Sequence, residues 1–152
     1  MVTKSKSTQK RTASDTVMEP KNWRDAESRS ERSKLIREGL FAAAAEIVGD
    51  VGYKDASVSL IVQRAGVAQG TFYNHFESRQ DILDQLLPAT GRQLLAYIQE
   101  RAQAGTTMLD KEELSFKDFF SFLDENPHFF RILNEAESFA PKAYRAHLEL
   151  VA

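Results

Sequence analysis

With 152 residues and 42% apolar content, the chain is long enough to bury a sizeable core, as one domain or as two small ones. The absence of cysteine excludes a disulfide framework and a thiolate metal site and fits a reducing cytosol. The start lacks the apolar centre of a signal peptide and no stretch approaches the length of a membrane span, so a cytoplasmic protein without membrane contact is expected. The net charge of −2 hides an asymmetry: residues 1–37 hold ten Lys and Arg against five acids, net +5, and the remainder ten against seventeen, net −7.

Residues 1–28 are rich in Ser, Thr, Lys and Arg with almost no apolar residues, so they are expected to form a disordered basic tail. Two readings of the tail stay open: a solvated segment, or an arm that neutralises phosphate. Trp23 is its one large aromatic residue. From about Ser33 a 3.6-residue period begins, with Ile36, Leu40, Ala44, Ile47 and Val51 in one stripe. Gly52 is expected to end this first helix, and Tyr53 to pack back onto it. Arg32 and Lys34 near its start are candidate phosphate contacts or plain solvated charge.

Next comes the most informative stretch, residues 57–76. Ser57 can cap a short helix carrying Ile61, Val62 and Ala65 on one face. Gly66 suits a left-handed exit, Val67 plugs the corner, and a second short helix buries Phe72 and Phe76. That leaves Gln69, Gly70, Thr71, Tyr73, Asn74 and His75 largely outward, an amide, hydroxyl, phenol and imidazole face. Two short helices around such a turn form a helix-turn-helix, whose second helix lies in the DNA major groove. Gln69 can read adenine, Tyr73 can pack on a thymine methyl or reach a phosphate, and Gly70 allows close backbone approach. Thr71 can offer a hydroxyl and an N–H to phosphate, with His75 near the backbone and Ser57 and Ser59 flanking the groove.

Beyond it, Ser78 can cap a helix carrying Ile82, Leu83, Leu86 and Leu87, and the pattern resumes after Pro88 and Gly91 at Leu94, Leu95 and Ile98. One long helix kinked near Pro88 is predicted. Gln103 to Glu113 reads as a loop, Leu114–Asp124 as an aromatic helix, Asn126-Pro127 as a restart, and Pro141 as a break before a last helix. Strand signals are absent, so the fold class is all-α. Seven phenylalanines lie between Phe116 and Phe139. A plain aromatic core is the favoured account of them. Without a Gly-rich phosphate loop, an H-E-x-x-H motif or His residues at ligand spacing, no enzyme, cofactor or metal site is expected.

The run Ala65-Gly66-Val67-Ala68-Gln69-Gly70-Thr71-Phe72-Tyr73-Asn74-His75-Phe76 resembles the signature of the TetR family of bacterial regulators: A-G-V-S-x-G-T, then Leu, Ile or Phe, then Y-x-H-F. Gly52-Tyr53 and residues 78–83 also sit where that family has similar residues, so the likeness runs from about Arg32 to Leu87. It implies a three-helix DNA-binding head over residues 29–80, a long linking helix, and a partial helical body for ligand binding and dimerisation over 81–152. It further implies a homodimeric repressor on a palindromic operator in double-stranded DNA, released by a small apolar ligand, with Phe116, Phe120, Phe129 and Phe130 as candidate lining. By the same resemblance Arg79 stands where a phosphate-clasping Lys is common. Ala68 replaces a usual Ser, Ser59 a long basic side chain and Glu77 a Lys, each a change that weakens DNA binding. Family members continue with two further helices that pair into a dimer, so a truncated body is expected. The competing reading is a helical ligand-binding or interaction module that does not bind DNA.

Overall fold

The computed structural model describes residues 22–152, so the tail expected over 1–28 lies mostly outside the described residues. After a single 3-10 turn at Trp23–Asp25 come seven helices: α1 (Arg29–Val51), α2 (Val58–Ala65), α3 (Gln69–His75), α4 (Arg79–Ala102), α5 (Met108–Glu125), α6 (Phe129–Phe139) and α7 (Pro141–Val151). The fold is all-α, with no strand among the described residues. No helix among them is long and apolar enough to cross a membrane.

Helix α1 begins a turn earlier than the apolar period indicates. Ser28 Oγ accepts from the Glu31 N–H at 3.1 Å, and the Glu31 carboxylate accepts from the Glu27 N–H at 2.7 Å. Such caps satisfy backbone donors that a helix start leaves unpaired, at about 1 kcal/mol each. The polar turn Arg29–Arg32 is therefore helical without contributing to the core. Trp23 is half-buried against the core, with the Arg24 and Arg32 guanidinium groups 4.3 and 4.9 Å from its ring centre. At its other end α1 stops at Gly52, whose φ of +84° favours a residue without a Cβ. Tyr53 beyond it is fully buried, as the sequence indicates.

Helix α4 runs unbroken from Arg79 to Ala102 through Pro88, which leaves the Asp84 carbonyl without its usual helical donor. The 80/81 boundary drawn from the sequence falls in its first turn. The predicted loop over 103–113 is shorter than expected, because α5 already starts at Met108. Thr107 and Asp110 form a reciprocal capping box there, which turns a charged stretch into helix. Pro141 opens α7 at its first position, where its missing N–H costs nothing.

One cluster of buried side chains joins the elements: Leu40 and Ile47 of α1, Phe72 of α3, Leu86 of α4, and Ile132 and Ala136 of α6. Helix α4 is the spine, lying along α1 at one end and α5, α6 and α7 at the other. The aromatic segment departs from both readings of it. Phe122 and Phe129 are buried and meet edge-on at 6.0 Å, as core residues do. Phe116, Phe120 and Phe130, three of the four candidate ligand-lining residues, instead face outward at 70%, 61% and 55% exposure. Asp118, Phe119 and Phe122 occupy the inner side of α5 and leave Phe116 and Phe120, one turn apart, on the opposite side.

Candidate nucleic-acid interface

The geometry of α3 follows from how α2 and α3 are pinned. Ser57 Oγ accepts from the Leu60 N–H at 3.2 Å and starts α2. Gly66 ends it in the left-handed region, at φ +69° and ψ 33°, with the Val67 N–H returning to the Val62 carbonyl at 3.1 Å. This tight exit places α3 against the core through Phe72 and Phe76, both essentially fully buried. Their rings lie 5.4 Å apart, and Phe41 of α1 meets Phe76 edge-on at 5.3 Å. Burial of two Phe side chains stabilises this placement by about 2–3 kcal/mol each.

The opposite side of α3 is open. Gln69, Gly70, Tyr73 and Asn74 are exposed, and Ser59 beside them is exposed as well. Thr71, His75 and Ser57 are half-buried at its edge. Tyr73 is 51% exposed although the preceding residue, Phe72, is fully buried. None of the candidate contact residues singled out from the sequence on α2 and α3 is buried. Two details differ from expectation. The Thr71 N–H already donates to the Ala68 carbonyl at 3.0 Å, which leaves only the hydroxyl for an outside acceptor. The His75 imidazole is held below its ordinary pKa, first by burial and then by the nearby Arg37 charge, so it is neutral at pH 7.

Two arginines near α3 make bonds that sequence reasoning does not assign. Arg79 turns inward: its Nε donates to the Ala56 carbonyl at 2.6 Å, and its Nη2 donates to the Tyr53 carbonyl and to the Lys54 carbonyl. It ties the α1–α2 connection to the start of α4, where a free phosphate-clasping cation was expected. Arg37, missed in the sequence, donates to the His75 carbonyl at 3.0 Å and to Gln85 Oε1 at 2.8 Å. Its guanidinium also lies over the Phe76 and Phe41 rings at 4.6 and 5.3 Å. Arg37 therefore holds the C-terminal end of α3. Nothing in the local pattern of α1 announces this, since its partners lie 38 and 48 residues away. A third long-range link involves Arg24, whose Nη2 donates to the Gly66 carbonyl at 3.3 Å and brings the N-terminal segment to the turn.

The body grips the same head from behind. Arg131 of α6 donates to the Gly49 and Asp50 carbonyls at 3.1 and 3.0 Å, covering carbonyls at the end of α1. Glu135 accepts from the Tyr53 N–H at 2.9 Å and from Arg131 at 2.8 Å. The Arg131 bond is the main reason its carboxyl is held below the usual range.

Residues 40–86, which span this assembly, match the family model described as bacterial regulatory proteins of the tetR family. Residues 40–86 thus match the N-terminal segment of the TetR family. The fatty acid metabolism regulator protein of Bacillus subtilis is 33% identical over 84 residues, which cover 55% of this chain and 43% of the relative. Two solved structures share the fold. The fatty acid degradation regulator FadR of Bacillus halodurans is 24% identical, with a TM-score of 0.62 over 75% of this chain and 62% of its own. A TetR family regulator from Marinobacter aquaeolei is 19% identical, with a TM-score of 0.67 over 80% and 68%. The chain spans less than half the length of the Bacillus subtilis relative.

Within the TetR comparison, the substitutions read from the sequence have visible local effects. Ala68 stands at the N-cap of α3 and makes no side-chain bond there, so the hydroxyl of the more usual Ser is lost. Glu77 is exposed beside the end of α3, with its backbone N–H donating to Asp81 at 2.9 Å.

Proposed function

We propose that the protein is a DNA-binding transcriptional regulator that reads double-stranded DNA through α3. The observation that carries this reading is the adjacent pair Phe72 and Tyr73, one ring fully buried and the next half exposed beside Gln69 and Asn74. In this reading Gln69, Tyr73 and Asn74 meet base edges, and Gly70 lets the backbone approach. Ser57, Ser59, Thr71 and His75 lie at the flanking phosphates. Arg79 acts as a brace rather than a direct contact. A homodimer on a palindromic operator, acting as a repressor and released by a small molecule, is the mechanism that extends the reading. Two heads about one helical turn apart, or a multiple of it, give the affinity that one head lacks.

A mobility-shift assay against a random duplex pool, followed by selection, tests it. Tyr73→Ala is expected to weaken duplex binding at least about tenfold with unchanged helicity, since loss of a good base contact costs about 1–3 kcal/mol. Duplex binding that is absent, or that does not fall as salt rises, would favour the helical interaction module instead. The outward Phe116, Phe120 and Phe130 are the observation on that side.

A further inference from the structure

A cavity of about 340 Å³ opens where α1, the middle of α4 and the α5–α6 connection meet. Phe41, Ala42 and Ala45 from α1, Leu86 and Ala89 from α4, and Phe129 from α6 form its apolar wall, with Thr90, Gln93, Asn126 and His128 as neutral polar lining. The charged side chains that line it are all acidic: Glu38 and Glu46 of α1 and Glu125 of α5. No lysine or arginine is among its lining residues. The cations paired with the rim stand outside the lining: Lys34 at 3.8 Å from Glu38, and Arg64 at 2.5 Å from Glu46. Glu125 accepts from the Tyr97 hydroxyl at 3.1 Å.

We propose that this cavity binds a monovalent organic cation with a flat apolar body. Three carboxylates beside an apolar wall attract positive charge by Coulomb attraction, while the wall takes up an apolar body. The same rim repels a fatty acid carboxylate. The volume is within the range of small-ligand sites. The site joins head to body, because α1 supplies one wall and α6 another. Phe41 connects it to α3 directly, since its ring touches Phe76, the residue that closes α3, at 5.3 Å. His128, also in the lining, packs against Gly49 of α1 so closely that a methyl group there would overlap its imidazole. An occupant that displaces Phe41 therefore shifts the support of α3, and one that displaces His128 loosens its packing on α1. This coupling rests on the reading of the chain as a ligand-released regulator; the binding itself rests on the cavity alone.

Calorimetric titration of the full chain, without DNA, uses three probes of similar bulk: benzyltrimethylammonium, its neutral isostere neopentylbenzene, and decanoate. Only the cation is expected to saturate, with one site per chain. The double variant Glu38→Gln with Glu125→Gln is expected to weaken it about tenfold, as loss of partly exposed charge contacts implies. Ala42→Trp, at an exposed wall position, is expected to abolish it while circular dichroism shows an unchanged fold. Equal binding of the neutral isostere, no binding of any probe, or cation binding unaffected by Ala42→Trp would each overturn the site. A duplex mobility shift run with and without the cation then separates the two claims. Duplex binding that the cation weakens supports the coupling, and duplex binding that saturating cation leaves unchanged overturns it. No duplex binding in either sample overturns the regulator reading and leaves the cation site standing.

Discussion

In α3 the aromatic rings are divided sharply, Phe72 inward and Tyr73 outward, and the C-terminal end of the helix is fastened by Arg37 of α1. In α5 the rings are divided just as sharply, with Phe122 inside and Phe116 and Phe120 outside, yet nothing among the described residues covers the outer pair. The difference lies in what surrounds each helix. Around α3, Arg37 takes the His75 carbonyl and the buried Phe72 and Phe76 rings anchor a short helix that seven residues alone would not sustain. Helix α5 is eighteen residues long and capped by its own box, so it holds its shape with one face free. A presented polar face therefore depends on distant residues, and a presented apolar face does not.

The comparison breaks first at Phe76. Phe76→Ala removes the ring that Phe41, Phe72 and Arg37 all touch. A loss of about 3–5 kcal/mol in unfolding free energy, read by urea denaturation, is expected for a ring this buried. Arg79 comes next. Arg79→Ala should cost about 2–3 kcal/mol, because it leaves carbonyls of the α1–α2 connection without their charged donor. A phosphate clasp would give the opposite pattern, with unchanged stability and a salt dependence of duplex binding lowered by about one charge. The third change probes the seam between head and body. Gly49→Ala should cost about 1–3 kcal/mol through overlap with His128, and His128→Ala should relieve most of it in the double variant. Additive effects would mean that the α5–α6 connection does not bear on α1.

The sequence disclosed the head more fully than the body, for physical reasons that individual residues illustrate. Ser57, Gly66, Phe72 and Phe76 each act within a few positions of where they stand, through a cap, a left-handed turn and a one-turn spacing of buried rings. The start of α1 at Ser28 and of α5 at Thr107 was hidden because caps made of a hydroxyl and a carboxylate carry no apolar period. Arg37 was invisible, and so were the inward bonds of Arg79, because their partners are set by tertiary placement. Phe116 and Phe120 were ambiguous in another way. When both sides of a helix carry phenylalanine, apolar periodicity cannot say which side faces the core.

The smallest expected effect gives the finest test of this contrast. Phe116→Ser together with Phe120→Ser removes two large rings from α5, as drastic a change in composition as any above. Both rings lie mostly in solvent, so little apolar area is returned to water by their loss, and the helix keeps its capping box. The unfolding free energy of the single chain should move by no more than about 0.5 kcal/mol. A buried ring lost from α3 should cost several times as much. If the pair instead costs more than about 2 kcal/mol at high protein concentration and little on dilution, the outer face of α5 is covered in solution by a second molecule, since stabilisation by association grows with concentration. A large cost at every concentration would mean that the face is buried within the chain itself, and α5 would then belong with α3 as a helix held from outside.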